Sequence, residues 1–158
     1  MSLLVVGVLM GLGGTIVMDI WAVILLRITG NGWPNWASPG RWFGHVFRGK
    51  LFHDDINKAA EIPQEQALGW VLHYGVGVLY GVIWAVIAGS AWLAAPTFVP
   101  VWIFALITIA AGWFLLQPGM GLGWGGSKTD TPWKGRFLGL VAHTWFGLGM
   151  WLAALAVA

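Results

Sequence analysis

The stretch "LLVVGVLMGLGGTIVMDIWAVILLRI", residues 3–28, decides the fold class of this protein. Its only charged residues are Asp19 near the middle and Arg27 at the end. A helix needs about 20 residues to cross the roughly 30 Å hydrocarbon core of a bilayer, so this stretch is long enough to span it. Because no Lys or Arg precedes it, we predict a permanent transmembrane helix rather than a cleaved signal peptide.

The rest of the chain has the same apolar character. Of its 158 residues, 58% are hydrophobic and 9% are charged, against about 25% charged in soluble domains. Further apolar segments of spanning length occupy residues 67–89, 98–117 and 137–157. The sequence predicts an all-α integral membrane protein, with residues 1–158 forming a single domain built as a four-transmembrane-helix bundle in a lipid bilayer.

The basic residues are confined to one side of this predicted bundle. All eight Lys and Arg lie in or beside the connection 29–66 or the connection between the third and fourth spans. The positive-inside rule places both connections in the cytoplasm, so both termini are expected outside, in the periplasm of a Gram-negative cell. The net charge of +2 is too small for the basic stripe that nucleic-acid binding requires, and we expect no nucleic-acid partner.

The first connection contains "RWFGHVFRGKLF", residues 41–52, with aromatic and basic residues at helical spacing. This pattern predicts a cytoplasmic amphipathic segment in the membrane interface, against anionic headgroups. The residues that define it are Arg41, Trp42, Phe43, Arg48 and Lys50.

The residues that follow allow two interpretations. His45, His53, Asp54 and Asp55 are candidate metal or proton ligands. "HDD", residues 53–55, is also typical of a helix N-terminus, with an acid capping the turn that leads into "INKAA", and we favour this interpretation.

One motif does not have the context that its chemistry requires. "GLGWGG", residues 121–126, matches G-x-G-x-x-G. A dinucleotide-binding fingerprint follows a strand, whereas this one lies between two membrane spans. We predict a flexible cytoplasmic turn.

Three ionisable residues lie within the predicted spans at one depth. Asp19, His73 and His143 are each seven or eight residues from the charged residue at the cytoplasmic end of their helix, or roughly 10 to 12 Å at 1.5 Å per residue. Each belongs to a row of small residues at i, i+4 spacing. The rows are Gly7, Gly11, Thr15 and Asp19 on the first span, His73, Gly77, Gly81, Ala85 and Gly89 on the second, and Gly135, Gly139, His143 and Gly147 on the fourth. Such rows mark packed helix faces, so we predict that the three side chains share a buried polar site.

Two of these helices carry a repeat. "LGWVLHYGVG", residues 68–77, and "LGLVAHTWFG", residues 138–147, share the pattern L-G-x-V-x-H-x-x-x-G. Both copies begin a span on the cytoplasmic side, so their helices run in the same direction. This suggests a 2+2 parallel repeat, with two helix pairs related by an axis along the membrane normal.

Four roles for the predicted site stay open. It could be structural, with interhelical hydrogen bonds. His73 and His143 could instead be the axial ligands of a b-type haem, or the two histidines and Asp19 could bind a divalent metal. The same residues could also handle protons.

The function of the protein depends on which of these four roles the polar site has. The serines lie at or near span ends, away from the site, so we predict no catalytic residues. We favour a non-enzymatic accessory or assembly component, in a homo-oligomer or a larger membrane complex. The alternative is a haem- or metal-binding redox protein, or a proton-coupled transporter that acts as an oligomer.

Four stretches carry a family resemblance. They are "WASPGRWFGHVFRGKLFH", "LGWVLHYGVGVLYG", "LLQPGMGLG" and "LGLVAHTWFGLGMWL". With them the chain resembles a family of small bacterial four-span membrane proteins classified as a domain of unknown function. The resemblance implies a bacterial inner-membrane protein with the topology above. It implies no activity and supplies no catalytic residues.

Overall fold

The computed structural model describes residues 1–30 and 34–158, and the described residues contain helices and no β-strand. The helices are α1 (Leu3–Thr29), α2 (Ala37–Val46), α3 (Glu65–Ala94), α4 (Phe98–Ala111), α5 (Gln117–Gly119) and α6 (Pro132–Val157). A π-helical turn, Gly112–Leu116, joins α4 to α5, and 3₁₀ turns lie at Ile56–Lys58 and Trp124–Gly126. The predicted all-α fold is confirmed.

Four stretches of helix are long and apolar enough to cross a membrane: Leu3–Thr29, Glu65–Ala94, Phe98–Gly119 and Pro132–Val157. Each contains one predicted span. The last begins five residues earlier than predicted, at Pro132. Proline fits the first turn of a helix, because a backbone N–H at that position would have no partner within the helix. The predicted end of the second span coincides with a break in α3 at Gly89, where φ is 69° and ψ is 179°.

The chain divides into two compact units. The bundle unit contains the described residues of 1–33, together with 74–108 and 140–158. The polar unit contains residues 34–73 and 109–139. The organisation of residues 1–158 as a single domain stays a prediction.

Within the bundle unit, α1 packs on α3 through glycine. A Cβ on Gly7 would lie 2.5 Å from the Cα of Val82, and a Cβ on Gly11 would lie 2.6 Å from the Cα of Val78. No side chain fits at such distances, so glycine is what allows the two backbones to meet. The small-residue rows predicted on α1 and α3 are confirmed as packed faces at Gly7, Gly11, Gly77 and Gly81, whereas a Cβ on Gly89 would meet nothing within 4 Å.

In the bundle unit, helix α6 uses two faces. A Cβ on Gly147 would lie 3.2 Å from the Cα of Trp102 on α4, whereas a Cβ on Gly149 would lie 2.8 Å from the Cα of Gly14 on α1. Gly147 belongs to the predicted row of small residues, and Gly149 lies outside it. Because α6 contacts two helices, small residues are needed in two rows rather than one. Met150, the residue after Gly149, is fully buried.

Candidate functional site

The polar unit is organised by the close approach of α2 to the start of α3. A Cβ on Gly40 would overlap the carbonyl oxygen of Glu65, and a Cβ on Gly69 would overlap that of Trp36. Two glycines, one on each helix, therefore let the backbones touch. This contact brings side chains of α2 within hydrogen-bonding distance of Glu65 at the first residue of α3.

Arg41 of α2 is the centre of this contact. Its Nε and Nη2 donate to the two carboxylate oxygens of Glu65 at 2.8 and 2.7 Å. Its Nη1 is within 3.2 to 3.3 Å of three carbonyl oxygens, those of Ile56, Asn57 and Ala59. The side chains of Arg41 and Glu65 are only 11% and 18% exposed. The hydrogen bonds to Glu65 raise the pKa of Arg41 above its ordinary value, so the guanidinium is a permanent charge that ties the loop before α3 to α2.

Two histidines lie in contact beside this pair. Nδ1 of His45 is 2.7 Å from Nε2 of His53. The outer nitrogens of both rings face carbonyl oxygens: Nε2 of His45 is 3.0 Å from the oxygen of Ala60, and Nδ1 of His53 is 3.0 Å from that of Gly119. Both residues are buried, at 7% exposure. Burial lowers the pKa of His45, and the positive charges of Arg48 and Lys50 act in the same direction.

Backbone contacts hold the His53 segment in place. The amides of His53 and Ile56 donate to the carbonyl oxygens of Gly119 and Met120, each at 3.0 Å. Asp55 caps the turn that follows, because its carboxylate accepts from the amide of Asn57 at 2.9 Å. The predicted cap in "HDD" is confirmed.

The five residues predicted to lie at the membrane interface have different environments. Arg48 and Lys50 are exposed, as an interfacial position requires, and Phe43 is half-buried. Arg41 is half-buried, with its side chain 11% exposed, and Trp42 is buried. The polar groups of both have internal partners: the guanidinium binds Glu65, and the indole N–H of Trp42 donates to the carbonyl of Leu51 at 2.8 Å. The interfacial position of the five residues stays a prediction from the sequence.

The predicted intramembrane residues have the following neighbours. Asp19 accepts a hydrogen bond at 2.8 Å from the hydroxyl of Tyr74 within the bundle unit. His143, in the same unit, lies edge-on to Phe146. His73 belongs to the polar unit, where it stacks on Trp36 with ring centroids 4.1 Å apart.

In residues 1–30 and 34–158, no group of three or more His, Asp or Glu side chains is placed to hold a metal ion. The assignments of Asp19, His73 and His143 as metal or haem ligands therefore stay predictions from the sequence.

The glycine-rich stretch 121–126 forms a turn, as predicted. All four glycines of this stretch, at 121, 123, 125 and 126, have φ between 56° and 88°, a region that other residues rarely adopt. The carbonyl of Gly125 accepts from Nε of Arg136 at 2.8 Å. No strand precedes the turn in the described part of the chain, so the requirement for a dinucleotide site is not met.

Two polar contacts are not among the predictions from the sequence. Glu65 is the charged residue at the cytoplasmic end of the second predicted span, and its pairing with Arg41 joins residues 24 apart. Tyr74 is adjacent to His73, and a hydroxyl within an apolar span is itself a signal of an interhelical hydrogen bond.

The fold defines a multi-pass membrane protein with a buried cluster of hydrogen-bonded polar side chains in its polar unit. The chain belongs to the family described as "Protein of unknown function (DUF2938)", whose model matches residues 8–157. The resemblance stated from the sequence is thereby confirmed. No curated protein and no solved structure matches the chain.

Proposed function

We propose that this protein is a non-enzymatic accessory or assembly component of the bacterial inner membrane. The observation that supports this proposal is how the polar side chains of the polar unit are used. Arg41, Glu65, His45 and His53 bind one another and backbone carbonyls. Side chains bonded in this way stabilise the conformation of the polar unit, whereas catalytic side chains are directed toward a substrate.

The proposed orientation places the polar unit at the cytoplasmic surface. Its exposed residues include Phe47 and Phe52, at 75% and 61% exposure, beside Arg48 and Lys50. Aromatic and basic side chains on one surface suit an interface with anionic lipid. A partner in a larger membrane complex would meet the same surface.

The chain contains no cysteine, so single cysteines report the orientation without background. Ser2→Cys and Ser127→Cys place thiols at two exposed positions. A membrane-impermeant maleimide is expected to label the first from the periplasm and the second only in inverted vesicles. The opposite labelling would overturn the orientation.

The accessory role is tested by purification in mild detergent from the native membrane. We expect a colourless protein in an assembly of fixed stoichiometry with at least one other membrane protein. Isolation as a homo-oligomer with a Soret band that both His73→Ala and His143→Ala remove would overturn the proposal in favour of haem.

A proton-coupled transporter is the second candidate. The observation that favours it is the hydrogen bond between Tyr74 and Asp19, a carboxylate within a spanning helix. This candidate predicts a pH-driven flux in liposomes that Asp19→Asn abolishes while the protein stays folded. Absence of any flux in the wild type would exclude it.

A further inference from the structure

Four ring nitrogens and two carbonyl oxygens form a continuous line in the polar unit. From the oxygen of Ala60 the line runs through both nitrogens of His45, then both nitrogens of His53, to the oxygen of Gly119. Its three contacts measure 3.0, 2.7 and 3.0 Å. All three are within hydrogen-bonding range, so each requires a proton between its two atoms.

Counting protons shows that two neutral histidines cannot supply them. A carbonyl oxygen only accepts, so Nε2 of His45 and Nδ1 of His53 must both carry hydrogen. A neutral imidazole has a single N–H, and its other nitrogen presents a lone pair. Two neutral rings would therefore direct two lone pairs at each other across 2.7 Å. One more proton is needed.

We propose that His45 and His53 form a proton-binding site, in which the two buried rings share one proton as an imidazole–imidazolium pair with a net charge of +1. The ligand is the proton itself. This role is independent of the proposed accessory function, because it concerns the internal bonding of the polar unit.

Charged side chains of both signs accompany the histidine pair. Arg41 on α2 and Arg48 and Lys50 after it are positive, while Asp54 and Glu65 are negative. The segment 112–127, which supplies Gly119, contains no charged side chain.

Burial and the nearby cations lower the pKa of His45, so a full positive charge on that ring is disfavoured. The outer nitrogens donate, Nε2 of His45 to Ala60 and Nδ1 of His53 to Gly119, whose carbonyl also accepts from the amide of His53. The shared proton lies between Nδ1 of His45 and Nε2 of His53.

The shared proton makes the contact depend on pH in both directions. When the proton is lost as pH rises, the two lone pairs repel and the central bond opens. When a second proton enters the pair as pH falls, two N–H groups face each other. The contact between His45 and His53 is therefore most stable at intermediate pH, where the pair holds one shared proton.

The direct test is ¹⁵N NMR of the full chain, labelled at histidine, in nanodiscs. A scalar coupling between Nδ1 of His45 and Nε2 of His53, transmitted through the hydrogen bond, is expected near neutral pH. It should disappear at alkaline pH. Absence of this coupling at every pH would overturn the proposal.

A matched pair of variants tests the consequence. His53→Gln keeps an N–H donor toward His45 but has no titrating proton, whereas Asp54→Asn removes an exposed charge from the adjacent position. In the wild type, amide hydrogen exchange over residues 45–53 is expected to quicken about tenfold on going from neutral to alkaline pH, beyond the intrinsic base dependence. His53→Gln should abolish this excess, and Asp54→Asn should retain it.

The remaining outcomes are also decisive. An unchanged exchange profile in His53→Gln would overturn the proposal. So would stoichiometric zinc that the wild type retains and His53→Gln loses, because a metal would then take the place of the proton. If His53→Gln does not fold, the coupling in the wild type decides.

Discussion

Replacement of Arg41 by alanine is expected to destabilise the protein by about 3 kcal/mol. The substitution removes both bonds to Glu65 and three contacts with loop carbonyls. Breaking a buried ion pair by removing one partner costs about 3–5 kcal/mol, because the other charge is left buried without a partner. The residual exposure of 11% and 18% lets water reach the pair, which places the expected value at the lower end of that range.

The assay is reversible unfolding of the full chain in mixed micelles, followed by the fluorescence of its 13 tryptophans. Arg48→Ala is the matched control, since Arg48 lies on the same segment but is exposed, and its loss should cost no more than about 0.5 kcal/mol. Arg41→Lys should recover part of the loss, because an ammonium keeps the charge without the two-pronged geometry. If Arg41→Ala costs no more than Arg48→Ala, the reasoning from the buried pair is refuted.

Two further predictions concern the bundle unit. Gly11→Val should prevent the close approach of α1 to α3 and lower the free energy of unfolding by more than about 2 kcal/mol. Gly75→Ala is the control: a Cβ at this position meets nothing within 4 Å, so the free energy of unfolding should change by less than about 0.5 kcal/mol. Equal effects of the two substitutions would contradict the packing. Tyr74→Phe removes the donor to Asp19 and should cost about 0.6 to 1.7 kcal/mol, the range for hydrogen bonds within membranes. The same unfolding assay measures it, and a loss that persists when Asp19→Leu, which has no acceptor, is already present would assign the effect to packing.

The parts of the fold that the sequence predicts are those set by local chemistry. The length of each apolar stretch fixes the four spanning helices, because the bilayer fixes the length that a helix needs. The rows containing Gly11 and Gly81 predict packed faces, because i, i+4 spacing places their members on one side of a helix. The contact of Gly149 with α1 was not predicted, because one periodic row describes only one packed face and α6 has two.

The contacts of the candidate site were harder to predict from the sequence, because the path of a loop decides which of its residues meet. His45 and His53 are only the less favoured candidate ligands in the sequence, because their contact depends on where the chain between them turns back. The partner carbonyl at Gly119 lies 66 residues further on and has no side-chain signature at all. Arg41 follows the helical spacing of an interfacial residue, and only the approach of α3 places Glu65 within its reach.

The break at Gly89 divides α3 into parts with different tolerance to insertion. The continuous helix before it, residues 65–88, is roughly 36 Å long at 1.5 Å per residue and includes Gly77 and Gly81, the glycines of α3 that meet α1. A residue inserted before Gly77 would rotate that row by about 100° and separate it from α1. An insertion after Gly89 would be absorbed where the backbone is already non-helical. Natural variation in the length of this helix is therefore expected on the far side of Gly89.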